Sequence, residues 1–198
     1  NLPPGSYTMS ARMADNITRT STLEIVAGQT KAFDLPLAPG GMSLWDDPSG
    51  WKQENGSFLH KGGDFVLYSA SPTSGTFVFS AMLRKGHRLQ WVVNYIDAQN
   101  YVLFQMDDNN FYRTVLRNGE KTDEGKLPFK SEKKSSHTIQ VHISPSEIDH
   151  QIKSGDGWVV FDKWSGTNLS GGKFGFYIPG NDQVVLSSFK RYPDLGPH

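Results

Sequence analysis

Gln90, Asn94, Tyr101 and Gln105 lie in two alternating runs, 88–96 and 101–106, joined by Asp97-Ala98-Gln99-Asn100. With those four residues read as a turn, Ile96 faces Tyr101 and Tyr95 faces Val102, because cross-strand partners share a face. Trp91, Val93, Tyr95, Val102, Phe104 and Met106 then form one nearly apolar side, expected to be core. The opposite side carries Gln90, Asn94, Tyr101 and Gln105 beside Val92, Ile96 and Leu103. Amides bond hydroxyl groups as donor and acceptor, and a phenol ring stacks on C–H patches, so this side has the chemistry of saccharide recognition. It equally suits an ordinary solvated sheet face. Arg113 and Arg117 join it in one register of the next strand; if Met106 pairs with Phe111, Tyr112 and Thr114 turn toward it instead.

Other stretches offer different chemistry. Asp46-Asp47 and Asp107-Asp108-Asn109-Asn110 are oxygen-rich enough for calcium, the one ion the sequence suggests, and serve equally well as turns. No other cofactor is implied. The six histidines show no His-x-x-x-His spacing, so no metal site is assigned. Gly-x-Ser-x-Gly and the Walker and dinucleotide fingerprints are missing, which removes acyl-transfer and nucleotide readings. Trp158 and Trp164 share parity, making either a stacking platform or core. Glu147, Asp149, Gln151 and Lys153 alternate with Ile148, His150 and Ile152, as in a half-exposed strand.

The elements that must hold these residues are strands. Helical periodicity is absent, while Gly (20) and Pro (11) punctuate short apolar runs among 198 residues. Strands are expected at 6–11, 21–26 and 31–37, and then at 58–60, 65–68, 76–83, 88–96, 101–106, 111–117, 137–143, 147–153, 158–163, 174–178 and 184–191. The charge-rich stretches 117–126 and 130–134 read as solvated hairpin loops. Leu37-Ala38-Pro39-Gly40-Gly41 interrupts any regular element and marks a boundary, giving segments 1–40 and 41–198. Twenty basic residues balance twenty acidic ones, leaving no cationic field for nucleic acid or an anionic membrane. No apolar run is long enough for a membrane helix, and absent cysteine removes thiol chemistry.

Three groups of residues support a family resemblance. They are Trp45 with Trp51–Phe58, the run Tyr95–Phe104, and Gly172–Ile178 with Val184–Phe189. In that order, residues 42–193 resemble a concanavalin A-like lectin/glucanase domain, in particular the laminin G-like branch that includes bacterial modules classed with glycosyl hydrolases or 3-keto-disaccharide hydrolases. The resemblance implies an all-β, two-sheet antiparallel jelly-roll sandwich, with ligands on a concave face or loop-lined rim. Leu2-Pro3-Pro4-Gly5-Ser6-Tyr7-Thr8 and Val26-Ala27-Gly28-Gln29-Thr30 resemble the closing part of a PEGA module, a small extracytoplasmic bacterial β unit. Endoglucanases of the sandwich fold carry Glu-x-Asp-x-(x)-Glu on one strand; here Glu147 and Asp149 are followed by Gln151 and Ile152. An amide cannot protonate a leaving glycosidic oxygen, so no catalytic residue is assigned.

The expected function is a non-catalytic, extracytoplasmic carbohydrate- or ligand-binding module, bound through Gln90, Asn94, Tyr101, Gln105 and Arg113. Its partners are a glycan or small sugar and other domains of a larger bacterial membrane protein, such as a receptor-like Ser/Thr kinase. Neither nucleic acid nor direct insertion of this segment into a membrane is expected. A glycoside hydrolase acting on a glycan or keto-disaccharide, and a protein–protein scaffold, are the alternatives.

Overall fold

A computed structural model describes residues 4–12, 18–27, 42–69, 74–132, 134–165 and 171–192. The chain divides into two compact units, Asn1–Gly41 and Met42–His198. In the first, β1 (Gly5–Arg12) and β2 (Thr18–Ile25) pair antiparallel from Gly5↔Ile25 to Arg12↔Thr18. The strand expected at 31–37 and the boundary at 37–41 lie outside the described residues.

The second unit is all-β among its described residues. Its strands are β3 (Lys52–Glu54), β4 (Ser57–Lys61), β5 (Asp64–Tyr68), β6 (Gly75–Lys85), β7 (Leu89–Asp97), β8 (Asn100–Met106) and β9 (Asn110–Arg117). There follow β10 (Glu120–Pro128), β11 (His137–Ile143), β12 (Glu147–Ser154), β13 (Gly157–Ser165), β14 (Lys173–Ile178) and β15 (Gln183–Tyr192). They form a six-stranded sheet, β10-β9-β8-β7-β14-β5, and a seven-stranded one, β13-β12-β11-β6-β15-β4-β3. Every pairing is antiparallel, and the two sheets make the expected sandwich.

Alternation explains why the sheets meet. β6 buries Phe77, Phe79 and Ala81, β11 buries Ile139, Val141 and Ile143, and β14 buries Phe174, Phe176 and Ile178. The inner faces interlock through aromatic rings, with Phe77 stacked on Phe174 at 4.4 Å and Phe79 edge-on to Phe176 at 5.2 Å. Burying each such ring contributes roughly 1.5–3 kcal/mol. Trp45 and Trp51 close one margin from the loop before β3, Trp45 stacking on Phe176 at 5.7 Å. Asp46 fixes that loop by accepting the Leu67 N–H at 2.8 Å.

The stretch 117–126 differs from its expectation. Asn118-Gly119 makes a tight turn with both residues in the left-handed region, and β10 follows as the edge of the six-stranded sheet. As far as Lys126 its side chains are polar and mostly exposed, including Glu120, Lys121, Glu124 and Lys126, so apolar alternation is absent. Charged edges of this kind deter unwanted strand pairing.

Candidate functional site

β7 and β8 form the hairpin that positions the candidate residues, with a two-residue turn at Ala98-Gln99 between Asp97 and Asn100. Asp97 accepts the Gln99 N–H at 2.8 Å and an Asn100 amide N–H at 2.9 Å, and these bonds hold its carboxyl below the usual range. Four steps separate Val93 from Asp97, but only two separate their partners Val102 and Asn100, so β7 bulges between them. Asn94 occupies the bulge at φ 51°, a left-handed conformation that Asn tolerates better than most residues. Gly172 permits it: a Cβ there would lie 2.5–2.8 Å from the Asn94 and Tyr95 backbone.

The bulge reassigns Tyr95. Trp91, Val93, Val102, Phe104 and Met106 are buried between the sheets, in line with their shared parity. Tyr95, placed with them by strict alternation, instead turns outward and stacks on Tyr101 with centroids 6.0 Å apart. Phe65 lies 4.7 Å from Tyr95, 5.0 Å from Tyr101 and 4.7 Å from Tyr177. Four half-buried rings from β5, β7, β8 and β14 thus make one aromatic patch on the outer face of the six-stranded sheet. Burial raises the Tyr101, Tyr95 and Tyr177 hydroxyls above the ordinary phenol value, keeping them neutral donors at physiological pH.

A polar network occupies the other end of that face. Met106 pairs with Phe111, so Tyr112 and Thr114 face the same way as Gln105 and Leu103. Gln105 donates to Gln90 and accepts from the Arg88 guanidinium at 3.1 Å. Arg88 also lies 4.1 Å over the Tyr112 ring and 3.7 Å from Asp107. Asp107 accepts the Tyr112 hydroxyl at 2.8 Å and the backbone N–H groups of Asn109 and Asn110. Partial burial opposes ionisation of Asp107, yet these donors outweigh it and hold its carboxyl below the usual range. Arg88 and Asp107 also line a cavity of about 410 Å³ with Ser131, Glu132 and His137.

Between patch and network the sheet surface is closed. Val92 is fully buried, and Leu67 and Leu103 are nearly so. Gln90, expected to be open, is only 5% exposed and contributes by fixing Gln105. Tyr101 and Gln105 remain half-buried, one in each region. Asn94 shapes the bulge, and its buried Oδ1 has no partner among the described residues. Arg113 leaves this face altogether: it shares parity with buried Phe111 and Val115 and pairs with Asp123 at 3.0 Å. Phe65, Tyr177 and Arg88 join the site without having been singled out from sequence, since only the sheet order brings β5 and β14 beside β7.

The other candidate stretches resolve as follows. Ile148 and His150 face the core and Glu147 and Asp149 face outward, in keeping with alternation on β12. Glu147 pairs with Lys163 at 3.1 Å and accepts from Ser165, and Asp149 accepts from Gln151. His150 is fully buried; its Nε2 accepts the Trp91 indole N–H at 3.2 Å and its Nδ1 contacts Asp162 at 2.9 Å. A bulge at Phe161, between the pairs Gln151↔Val160 and His150↔Asp162, puts Trp158 and Trp164 on opposite faces of β13. They cannot form one platform. Asp47 and Asp107 each cap a turn, and among the described residues no cluster of three His, Cys, Asp or Glu could hold a metal.

No family model matches the chain, and no curated protein does. Solved structures do. The carbohydrate-binding module CBM66 from Bacillus subtilis superposes with a TM-score of 0.57 at 14% identity, covering 71% of this chain and 89% of that one. A xylan beta-1,4-xylosidase from Bacillus halodurans gives 0.61 at 12% identity over 92% of this chain, which spans only 45% of the enzyme. The Crh5 transglycosylase in complex with NAG gives 0.56 at 12% identity, covering 80% and 82%. Together with the sheet order, these likenesses define the second unit as a concanavalin A-like β-sandwich.

Proposed function

We propose that the sandwich is a non-catalytic carbohydrate-binding module whose contact surface is the outer face of the six-stranded sheet. The observation that carries this reading is that one sheet face carries both the Phe65–Tyr95–Tyr101–Tyr177 patch and the Arg88–Gln105–Asp107–Tyr112 network. Half-buried rings give sugar C–H faces a stacking surface, and the network's amide, guanidinium and carboxylate offer its hydroxyls donors and acceptors held in place by one another. The neighbours named above as a carbohydrate-binding module and as glycan-active enzymes favour the same ligand class. The broken carboxylate set, with Glu147 committed to Lys163, favours binding over hydrolysis. In this reading the module works outside the cytoplasm, as a sensor or adhesion element of a larger bacterial membrane protein.

Binding to a glycan array, followed by calorimetry and a product assay, tests the reading. Binding without turnover is expected, with Tyr101→Ala and Gln105→Ala each weakening it about two- to tenfold. Product release would favour a hydrolase. Absence of any glycan binding, with both variants indistinguishable from wild type, would favour a scaffold.

A further inference from the structure

β10 and β13 are the outermost strands of the two sheets, and between them lies a cleft of about 430 Å³. That volume falls in the range of small-molecule pockets. Arg113 enters it from β9. Its guanidinium lies 4.3 Å over the Trp164 ring and donates to Asp123 Oδ2 at 3.0 Å, while its Nε is buried without a partner. Gly125 makes room for it, since a Cβ there would approach the guanidinium to 3.3 Å. On the opposite wall, Asp162 is 5% exposed and held by His150.

Donors outnumber free acceptors here. Each nearby carboxylate is engaged: Asp162 by His150, Asp123 by Arg113, and Glu147 by Lys163. A guanidinium offers five N–H groups, and among the described residues Arg113 makes a single hydrogen bond. The rim is aliphatic, with Leu127 41% and Val160 56% exposed. A ligand matching this lining carries an acceptor-only group for Arg113 and an apolar flank for the rim.

We propose that the β10–β13 cleft is a second ligand site, separate from the outer-face surface, that takes a carboxylate-bearing ligand. The carboxylate bonds the guanidinium N–H groups of Arg113 that Asp123 leaves free. Asp123 competes for the same guanidinium and limits affinity. Either a uronic acid residue of a glycan or a free organic acid has the required chemistry.

The test titrates the full chain calorimetrically with a glucuronate-terminated oligosaccharide, its neutral glucose counterpart and benzoate. The glucuronate probe is expected to bind at least tenfold more tightly than its neutral counterpart in this cleft. Asp123→Asn, which releases Arg113, is expected to tighten carboxylate binding about three- to tenfold, a gain that misfolding cannot produce. Arg113→Gln is expected to weaken it tenfold or more while leaving neutral-glycan binding at the outer face unchanged. Benzoate binding with the same variant response identifies a general organic-acid site; its absence alongside glucuronate binding identifies an acidic-sugar site. Equal affinity for acidic and neutral probes, or no gain in Asp123→Asn, overturns the proposal. Failure here with neutral-glycan binding intact leaves the outer-face reading standing.

Discussion

Replacing Trp91 by Phe tests the bond at the centre of the sandwich. The indole N–H donates to His150 Nε2 at 3.2 Å, and both side chains are fully buried. Loss of the donor strands a buried acceptor at a cost of about 1–3 kcal/mol. The smaller ring adds roughly 1–2 kcal/mol at about 0.8 kcal/mol per methylene-sized group. The sum, about 2–5 kcal/mol, corresponds to a fall in melting temperature of about 4–20 °C for a domain of this size. A second signature separates the bond from simple cavity formation. Burial lowers the His150 pKa, overriding the attraction of Asp162, so the folded imidazole stays neutral where the unfolded one protonates. Below about pH 6.5 the unfolded chain binds the extra proton, and stability falls by up to about 1.4 kcal/mol per pH unit from this group. Without the indole, Nε2 takes a proton without breaking a bond, so the acid slope of the variant is shallower. Chemical denaturation from pH 5 to 8 reads both effects. A loss below 1 kcal/mol with an unchanged slope would refute the reasoning.

Three further outcomes follow from the geometry. Gly172→Ala, at φ 125° and against the Asn94 backbone, is expected to lose about 1–3 kcal/mol in thermal denaturation and to disturb the Tyr95–Tyr101 stack. Arg84→Ala removes a pair with Glu54 in which both side chains are 41% exposed, and its denaturation midpoint should stay within about 0.5 kcal/mol of wild type. The wild-type pH–stability curve should fall in two acid windows. In the first, His150 and half-buried His137, both depressed chiefly by burial, lose stability as pH drops below about 6.5. In the second, Asp97, Asp107 and Glu147, whose native bonds favour their ionised forms, lose theirs as pH drops through about 4. A curve flat from pH 7 to 5 would contradict the first assignment.

Alternation made much of the sandwich readable. On β7, β8 and β12 the apolar parity of Trp91, Val93, Val102, Phe104, Ile148 and His150 coincides with burial between the sheets. Parity misleads wherever a strand gains residues relative to its neighbour. The bulge at Asn94 moves Tyr95 from core to surface, and the bulge at Phe161 separates Trp158 from Trp164. Neither leaves a local mark beyond Asn, which accepts a left-handed backbone. β10 escaped detection because an exposed edge strand has no apolar side to alternate. The direction of Arg113 depended on whether Met106 met Phe111, which strand pairing alone decides. Likewise Phe65 and Tyr177 reach Tyr101 through a sheet order that no local pattern encodes.

The central claim is met most directly by calorimetric titration of the sandwich with a panel of glycans, wild type beside Tyr101→Ala. The account predicts saturable binding of at least one glycan, no product on prolonged incubation, and affinity about two- to tenfold weaker in the variant. Binding that ignores the loss of Tyr101, or no binding across the panel, would contradict it.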